Sequence, residues 1–219
     1  RSSLVTGVQT CALPISASLL SVPAAIMYAN IMIPSNTITQ FNEKNTPNVY
    51  KSTMDAVTRG TSDGASIAIS VGTILIAVVA LVFILNAFLG FIGDQVGLDL
   101  SIQIILGYIF APIAWLMGIP WDEAILAGEL LGLKTALNEF YAYPGLASEE
   151  YSSLSDRSKL ITFYSLCGFA NLSSVGILVS GIAAMAPDRK EDLIKVSLKA
   201  LVGATLASCM TGLIVGIFI

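Results

Sequence analysis

Four side chains in apolar surroundings have the chemistry to bind one solute together: Glu139, Phe169, Asn171 and Ser174. A carboxylate accepts hydrogen bonds, whereas an amide and a hydroxyl can both donate and accept them. This set suits a neutral solute with adjacent hydroxyl groups, such as a sugar ring, because one carboxylate can accept from two neighbouring hydroxyls. The ring of Phe169 would add an apolar wall beside such a solute.

The amide and hydroxyl belong to a long apolar segment. Residues 160–187 contain no charged residue and are numerous enough to cross a bilayer as a helix. On a continuous helix, Asn171 and Ser174 lie on one face, and Ser173 lies to the side. Such a patch either binds a solute or forms hydrogen bonds between membrane helices, which contribute about 0.6 kcal/mol each.

Glu139 favours the solute-binding explanation. A carboxylate in the apolar sequence "TALNEFYAY" costs about 2.5 to 3.5 kcal/mol at bilayer depth, and such residues commonly mark substrate or ion paths. The alternative is a position at the membrane interface, where water solvates the carboxylate. Lys134 would lie about 140° from Glu139 around a helix, so the two are not expected to pair. Glu129 faces another side and is expected to be an interfacial charge.

The composition is that of a membrane protein. Of the 219 residues, 55% are hydrophobic and 12% are charged, against about 25% charged in a soluble domain. Histidine is absent, which excludes Ser-His and Cys-His nucleophiles, and Cys167 and Cys209 lack the spacing of a metal or redox site. No enzyme activity, resident cofactor or metal site is therefore predicted. The net charge of −4 gives no basic surface for a nucleic-acid partner.

The elements that must position these residues form an all-α polytopic membrane protein. "GIPW" at 118–121 is expected to separate two half-length helices of a re-entrant hairpin, because the second half is too polar to face lipid. Two ordinary spans are the alternative that periodicity leaves open. "GTSDG" at 60–64 is expected to be a turn that caps the next helix. The predicted segments are an artefactual leader that resembles translated sequencing-adapter sequence (1–15), a transmembrane helix (16–34), a cytoplasmic loop with an interfacial segment (35–64), a transmembrane scaffold helix (65–93), the re-entrant hairpin (100–143), a substrate-site transmembrane helix (158–186) and a C-terminal transmembrane helix (191–219).

The distribution of basic residues predicts the orientation in the membrane. Whether residues 100–143 form a hairpin or two spans, the chain returns to the side it left, so the loops at 35–64 and 187–199 share one side. That side then carries Lys44, Lys51, Arg59, Arg189, Lys190, Lys195 and Lys199, and the other side carries Arg157 and Lys159. By the positive-inside rule, the first side is cytoplasmic and the C-terminus lies outside.

Five stretches carry a family resemblance: "SVPAAIMYANIMIP" (21–34), "APIAWLMGIPW" (111–121), "KTALNEFYAY" (134–143), "GFANLSSVGI" (168–177) and "AMAPDRKEDLIKVSLKALVGATLAS" (184–208). Over residues 16–219 the sequence resembles the C-terminal half of the concentrative nucleoside transporters. The resemblance implies a cation-coupled symporter that imports nucleosides across the cytoplasmic membrane. Such proteins are usually homotrimers in which a transport domain moves, like an elevator, against a scaffold.

The resemblance also implies roles for individual residues. Glu139 would accept the ribose hydroxyls, Asn171 and Ser174 would hydrogen-bond the sugar, and Phe169 would pack beside it. The family's first hairpin, which reads the base, has no counterpart in this sequence, so the base preference cannot be read. The coupling cation, Na⁺ or H⁺, is expected to bind mainly in the missing N-terminal half.

Other functions remain open on the sequence alone. The chain could belong to a transporter of another small polar solute such as a nucleobase, although a free base offers no ribose to Glu139. It could also be a non-transporting structural membrane protein whose polar residues only join helices. A membrane enzyme that uses Glu139 as a general base is the weakest reading, because the sequence offers no partnered nucleophile, metal cluster or cofactor motif.

Overall fold

The regular elements are helices throughout the residues that the computed structural model describes, which are 7–34, 51–185 and 187–219. They are α1 (Gly7–Met32), α2 (Thr53–Val96), α3 (Ile102–Leu116), α4 (Trp121–Ala136), α5 (Glu139–Leu146), α6 (Asp156–Leu166), α7 (Leu172–Met185) and α8 (Lys190–Phe218), with 3₁₀ turns at Glu149–Tyr151 and Pro187–Arg189. In these ranges α1, α2 and α8 are long and apolar enough to cross a membrane. The predicted all-α membrane architecture is confirmed.

The first two helices begin earlier than the sequence predicts. Helix α1 starts at Gly7, inside the segment 1–15 that was expected to be a separate leader. Helix α2 starts at Thr53 instead of residue 65, because the Ser52 side chain caps it by accepting a hydrogen bond from the backbone N–H of Asp55 at 3.2 Å. The prediction of a turn at 60–64 is therefore wrong. The rest of the predicted loop, at 35–50, lies outside the described residues.

Helices α3 and α4 form the predicted hairpin. They are bent by 119° at the break between them, which fits either a re-entrant loop or a broken span. Gly118 in this break has a φ of 90°, a backbone conformation that favours glycine. Their close packing depends on small residues, since a Cβ on Gly128 would lie only 2.9 Å from the backbone N of Ala111. The break at "GIPW" is confirmed.

The hairpin is shorter than predicted. Helix α4 ends at Ala136, and α5 begins at Glu139 after a second break at 137–138. The predicted hairpin segment 100–143 therefore contains a third helix start, which the sequence pattern did not indicate. This correction places Glu139 in the first turn of a new helix and not within the hairpin.

The predicted substrate-site helix at 158–186 is also discontinuous. It consists of α6 and α7, separated by five non-helical residues at 167–171. Helix α6 packs on α4 and α8, while α7 packs on α2 and α8. The absence of charge made this stretch look like one span, but polar and glycine residues at its centre favour a helix end and a new helix start.

The buried core lies between the hairpin, α6 and α8. Ala114, Leu130, Ile161 and Leu166 are among its fully enclosed residues. Glu129 also lies here with 8% of its surface exposed, and accepts a hydrogen bond from the Tyr151 hydroxyl at 3.4 Å. The expectation that Glu129 is an interfacial charge is therefore wrong.

Arg157 fixes the α3–α4 break, at the tip of the hairpin. Its guanidinium donates one hydrogen bond to the carbonyl of Gly118 at 2.5 Å and another to the carbonyl of Gly216 at 2.7 Å. These carbonyls lie in the α3–α4 break and near the end of α8, so one side chain of α6 joins three elements.

Candidate functional site

The two unpredicted breaks in the chain lie side by side. The Ser173 hydroxyl donates to the carbonyl of Leu137 at 3.4 Å, and the Asn171 Nδ2 group donates to Glu139 Oε2 at 3.1 Å. The first bond joins the start of α7 to the break before α5, and the second joins the caps and first turns of these two helices. The beginnings of α5 and α7 therefore meet at one place in the structure.

An asparagine caps each of these helix starts. Asn138 Oδ1 accepts from the backbone N–H of Tyr141 at 3.2 Å, and Asn171 Oδ1 accepts from the backbone N–H of Ser174 at 2.7 Å. Such caps satisfy N–H groups that have no partner within the helix. The partial positive charge of a helix N-terminus also favours a carboxylate in the first turn, where Glu139 lies.

The polar site residues form a continuous chain of hydrogen bonds. The Ser174 hydroxyl donates to Asn171 Oδ1 at 2.8 Å, and the amide nitrogen of Asn171 donates to Glu139. Asn171 precedes α7, so the predicted shared helix face is wrong in detail, although Asn171 and Ser174 are in direct contact. The partly exposed carboxylate of Glu139 keeps acceptor positions that this bond does not use, because a carboxylate offers about four.

Phe169 lies beside this chain without joining it. Its side chain is 73% exposed, and it lines a cavity of about 80 Å³ together with Asn171, Ser174 and residues of α8. Ligand pockets usually enclose at least about 300 Å³. The described residues therefore supply part of the wall of a pocket and not a complete enclosure.

Three residues of this region have structural roles that the sequence did not predict: Lys134, Asn138 and Ser173. Lys134 is buried, and its ammonium donates to the carbonyl of Ser165 at 2.8 Å. The salt bridges of the described residues do not include Lys134, which agrees with the expectation that it does not pair with Glu139. Asn138 could have been found, because an asparagine followed directly by an acidic residue is typical of a helix start.

The fold and site together define a class of protein. Helices that break inside an apolar domain, with capped N-termini meeting at polar side chains, are typical of secondary transporters, in which irregular backbone lines a binding site. Residues 14–216 match the family model described as "Na+ dependent nucleoside transporter C-terminus". The chain belongs to this family, as the sequence predicted.

Named relatives agree with this assignment. The nucleoside permease NupC of Helicobacter pylori is 37% identical over an alignment of 210 residues, which covers 94% of this chain and 50% of that protein. Sodium/nucleoside cotransporter 1 of Rattus norvegicus is 32% identical over an alignment of 222 residues, which covers 93% of this chain and 34% of that protein. Both names are those of transporters and not of enzymes, in agreement with the sequence analysis.

Solved structures support the same fold. An intermediate state of a CNTnw variant is 37% identical with a TM-score of 0.84, over 98% of this chain and 53% of that protein. An inward-facing, substrate-bound state of CNTnw is 39% identical with a TM-score of 0.76, over 94% of this chain and 50% of that protein. The chain spans about half the length of the bacterial relatives and structures it matches.

Proposed function

We propose that this chain is part of a cation-coupled symporter that imports nucleosides across the cytoplasmic membrane. The observation that carries the proposal is the hydrogen-bonded chain from Ser174 through Asn171 to Glu139, at the meeting point of two broken helices. Family membership and the names of the relatives support a nucleoside as the solute.

In the proposed site, Glu139 accepts hydrogen bonds from adjacent ribose hydroxyls. A sugar that leaves water loses its hydrogen bonds, and each unpaired polar group is unfavourable until the protein replaces its partners. Asn171 and Ser174 already lie within hydrogen-bonding distance of one another and would exchange this contact for contacts with the sugar. The exposed ring of Phe169 would pack against the ribose or base, with the rest of the pocket supplied by protein outside this chain.

The coupling cation and the assembly belong to the same proposal. The coupling cation is Na⁺ or H⁺ and binds mainly outside this chain; the family description and the name of the rat relative support sodium. A homotrimer within the lipid bilayer fits the large exposed apolar surface of α2, which includes Ile76, Phe83 and Phe88. The positive-inside rule supports a C-terminus outside the cell.

Uptake of radiolabelled uridine by the full-length protein, in cells without endogenous nucleoside transport, tests this function. The wild type is expected to accumulate uridine under a sodium or proton gradient. Glu139→Gln keeps the side-chain size but removes the anionic acceptor, so KM should rise about 10-fold or more, since a hydrogen bond to a charged group contributes about 1.5 to 3 kcal/mol. The control is Glu150→Gln, which changes an exposed carboxylate and should leave KM unchanged.

Two outcomes would contradict the proposal at different levels. If the wild type accumulates no nucleoside under either gradient, the transport function is wrong. If uptake occurs but Glu139→Gln has the KM of the wild type, the protein transports nucleosides without using Glu139 as the ribose acceptor.

A further inference from the structure

Lys134 is a buried cation in the last turn of α4, close to the proposed ribose site. Only 1% of its surface is exposed, and its Nζ atom donates to the backbone carbonyl of Ser165 at 2.8 Å. An ammonium has three N–H donors, and this is its one hydrogen bond among the described residues. A buried charge that is poorly compensated is unfavourable, and an apolar side chain often stabilises such a position better. Stability alone therefore does not explain a lysine here.

The acceptor of this bond lies at the end of another helix. Helix α6 ends at Leu166, so the carbonyl of Ser165 belongs to the last turn, where carbonyls have no partner within the helix. The C-terminus of a helix carries partial negative charge, which a cation stabilises. Lys134 therefore supplies the hydrogen bond and the charge that this helix end lacks.

The bond connects the two breaks that form the site. Lys134 lies just before the first break, between the end of α4 at Ala136 and the start of α5 at Glu139. Ser165 lies just before the second break, at 167–171 between α6 and α7. The bonds from Ser173 to Leu137 and from Asn171 to Glu139 join the helix starts. Lys134 joins the helix ends, so the two breaks are tied together on both sides.

The surroundings of the ammonium are closely packed. A Cβ on Gly168, in the second break, would lie 3.7 Å from Nζ and would overlap the Ser208 hydroxyl of α8. The ammonium is also near enough to the Glu139 carboxylate for the two charges to attract each other, although they form no salt bridge. A displacement of Lys134 would consequently shift both the backbone of the breaks and the electrostatic environment of Glu139.

We propose that Lys134 is a positioning residue that holds the two helix breaks in register, so that Glu139 is aimed at the ribose hydroxyls. The inference rests on the proposed nucleoside-binding function. Lys134 acts through the carbonyl of Ser165 and the backbone around 137–139, and it does not contact the solute.

The test compares uridine with 3′-deoxyuridine as inhibitors of labelled uridine uptake, using the full-length protein. In the wild type, the missing hydroxyl should weaken inhibition about 10-fold or more, because a hydrogen bond to a carboxylate is lost. Lys134→Met keeps a long apolar stem and removes the charge and the N–H donors. It should raise KM for uridine and narrow the preference for uridine over the deoxy analogue by at least about 3-fold, since Glu139 is no longer correctly aimed.

The matched control is Lys159→Met. Lys159 also donates from its Nζ atom to a backbone carbonyl, that of Ser152 at 3.2 Å, but it is partly exposed and lies near the N-terminus of α6. This variant should keep both the KM and the preference of the wild type. Immunoblots of the membrane fraction correct the uptake rates for the amount of protein.

The outcomes separate positioning from simple stabilisation. The proposal is overturned if Lys134→Met lowers the amount of protein in the membrane but leaves the preference for uridine over the deoxy analogue unchanged. It is also overturned if this variant has the KM and the preference of the wild type. If Lys134→Met does not accumulate in the membrane, Lys134→Arg takes its place. An Arg variant that accumulates and keeps the preference for uridine over the deoxy analogue supports the proposal. If neither variant accumulates, Lys134 is required for folding and the proposal is overturned. A wild type without uptake refutes the nucleoside function itself. If uptake is impaired in Glu139→Gln while Lys134→Met keeps the KM and the preference of the wild type, only the inference about Lys134 is refuted.

Discussion

Replacing Asn171 by serine should separate its two contacts. The Asn171 carbonyl oxygen caps α7, and its amide nitrogen donates to Glu139. Serine is about as good an N-cap as asparagine, so helix α7 should start at the same place. The serine hydroxyl is too short to replace the 3.1 Å contact with Glu139. The variant therefore tests the contact with the carboxylate while the cap is retained.

In the free protein this contact holds the Glu139 carboxylate in place, so its loss is expected to weaken the hydrogen bond from a ribose hydroxyl to Glu139. A hydrogen bond to a charged group contributes about 1.5 to 3 kcal/mol, and about 1.4 kcal/mol corresponds to a factor of 10 in affinity. Asn171→Ser should therefore raise the KM for uridine about 10-fold or more at an unchanged protein level. Asn138→Ser is the matched control, because Asn138 caps α5 in the same way and makes no bond to Glu139.

Initial rates of labelled uridine uptake over a range of concentrations, with protein quantified in the membrane fraction, give the required KM values. If Asn171→Ser and Asn138→Ser raise KM equally, the contact between Asn171 and Glu139 contributes nothing to binding. If both variants lose protein from the membrane without a change in KM, the asparagines act only as helix caps.

Two further substitutions test how the elements around the site are packed. Gly168→Ala should lower the amount of folded transporter in the membrane, because its Cβ would overlap the Ser208 hydroxyl and overpacking costs about 1 to 3 kcal/mol. Adding Ser208→Ala to this variant should restore part of the lost protein. If the double variant restores none, the strain does not arise from the Ser208 hydroxyl. Arg157→Gln should lower the Tm of the purified full-length protein in detergent by a few degrees, because bonds to the carbonyls of Gly118 and Gly216 are lost; an unchanged Tm would mean that water replaces them without loss.

The sequence was sufficient for the membrane architecture and for one of the three helix breaks, which lie at 117–120, 137–138 and 167–171. Apolar segments long enough to span a bilayer are visible in composition alone, and "GIPW" combines a glycine and a proline at a change from apolar to polar sequence. Periodicity does not report whether a helix is continuous, however. The charge-free stretch around Asn171 therefore looked like one span, although the structure contains two helices and a cap.

The sequence also did not show where individual helices begin and end. The angle of about 140° between Lys134 and Glu139 holds only on one continuous helix, yet the chain breaks at 137–138 between them. For α2, both Ser52 and the residues at 60–64 had the chemistry of a cap, and the structure uses Ser52. Sequence could not choose between them, because a helix tolerates interior glycines at a modest cost of about 1 kcal/mol each.

The polar residues of the site serve the backbone as well as a solute. Interrupting a helix in an apolar environment frees N–H and carbonyl groups, each of which is unfavourable unless it finds a partner. Asn138 and Asn171 satisfy two of the N–H groups, and Lys134 satisfies a carbonyl. The cap uses the Asn171 side-chain oxygen, which leaves its amide nitrogen to donate to Glu139. Because the residues that make the breaks possible are also those beside the carboxylate, a change that closes a break should remove the site as well.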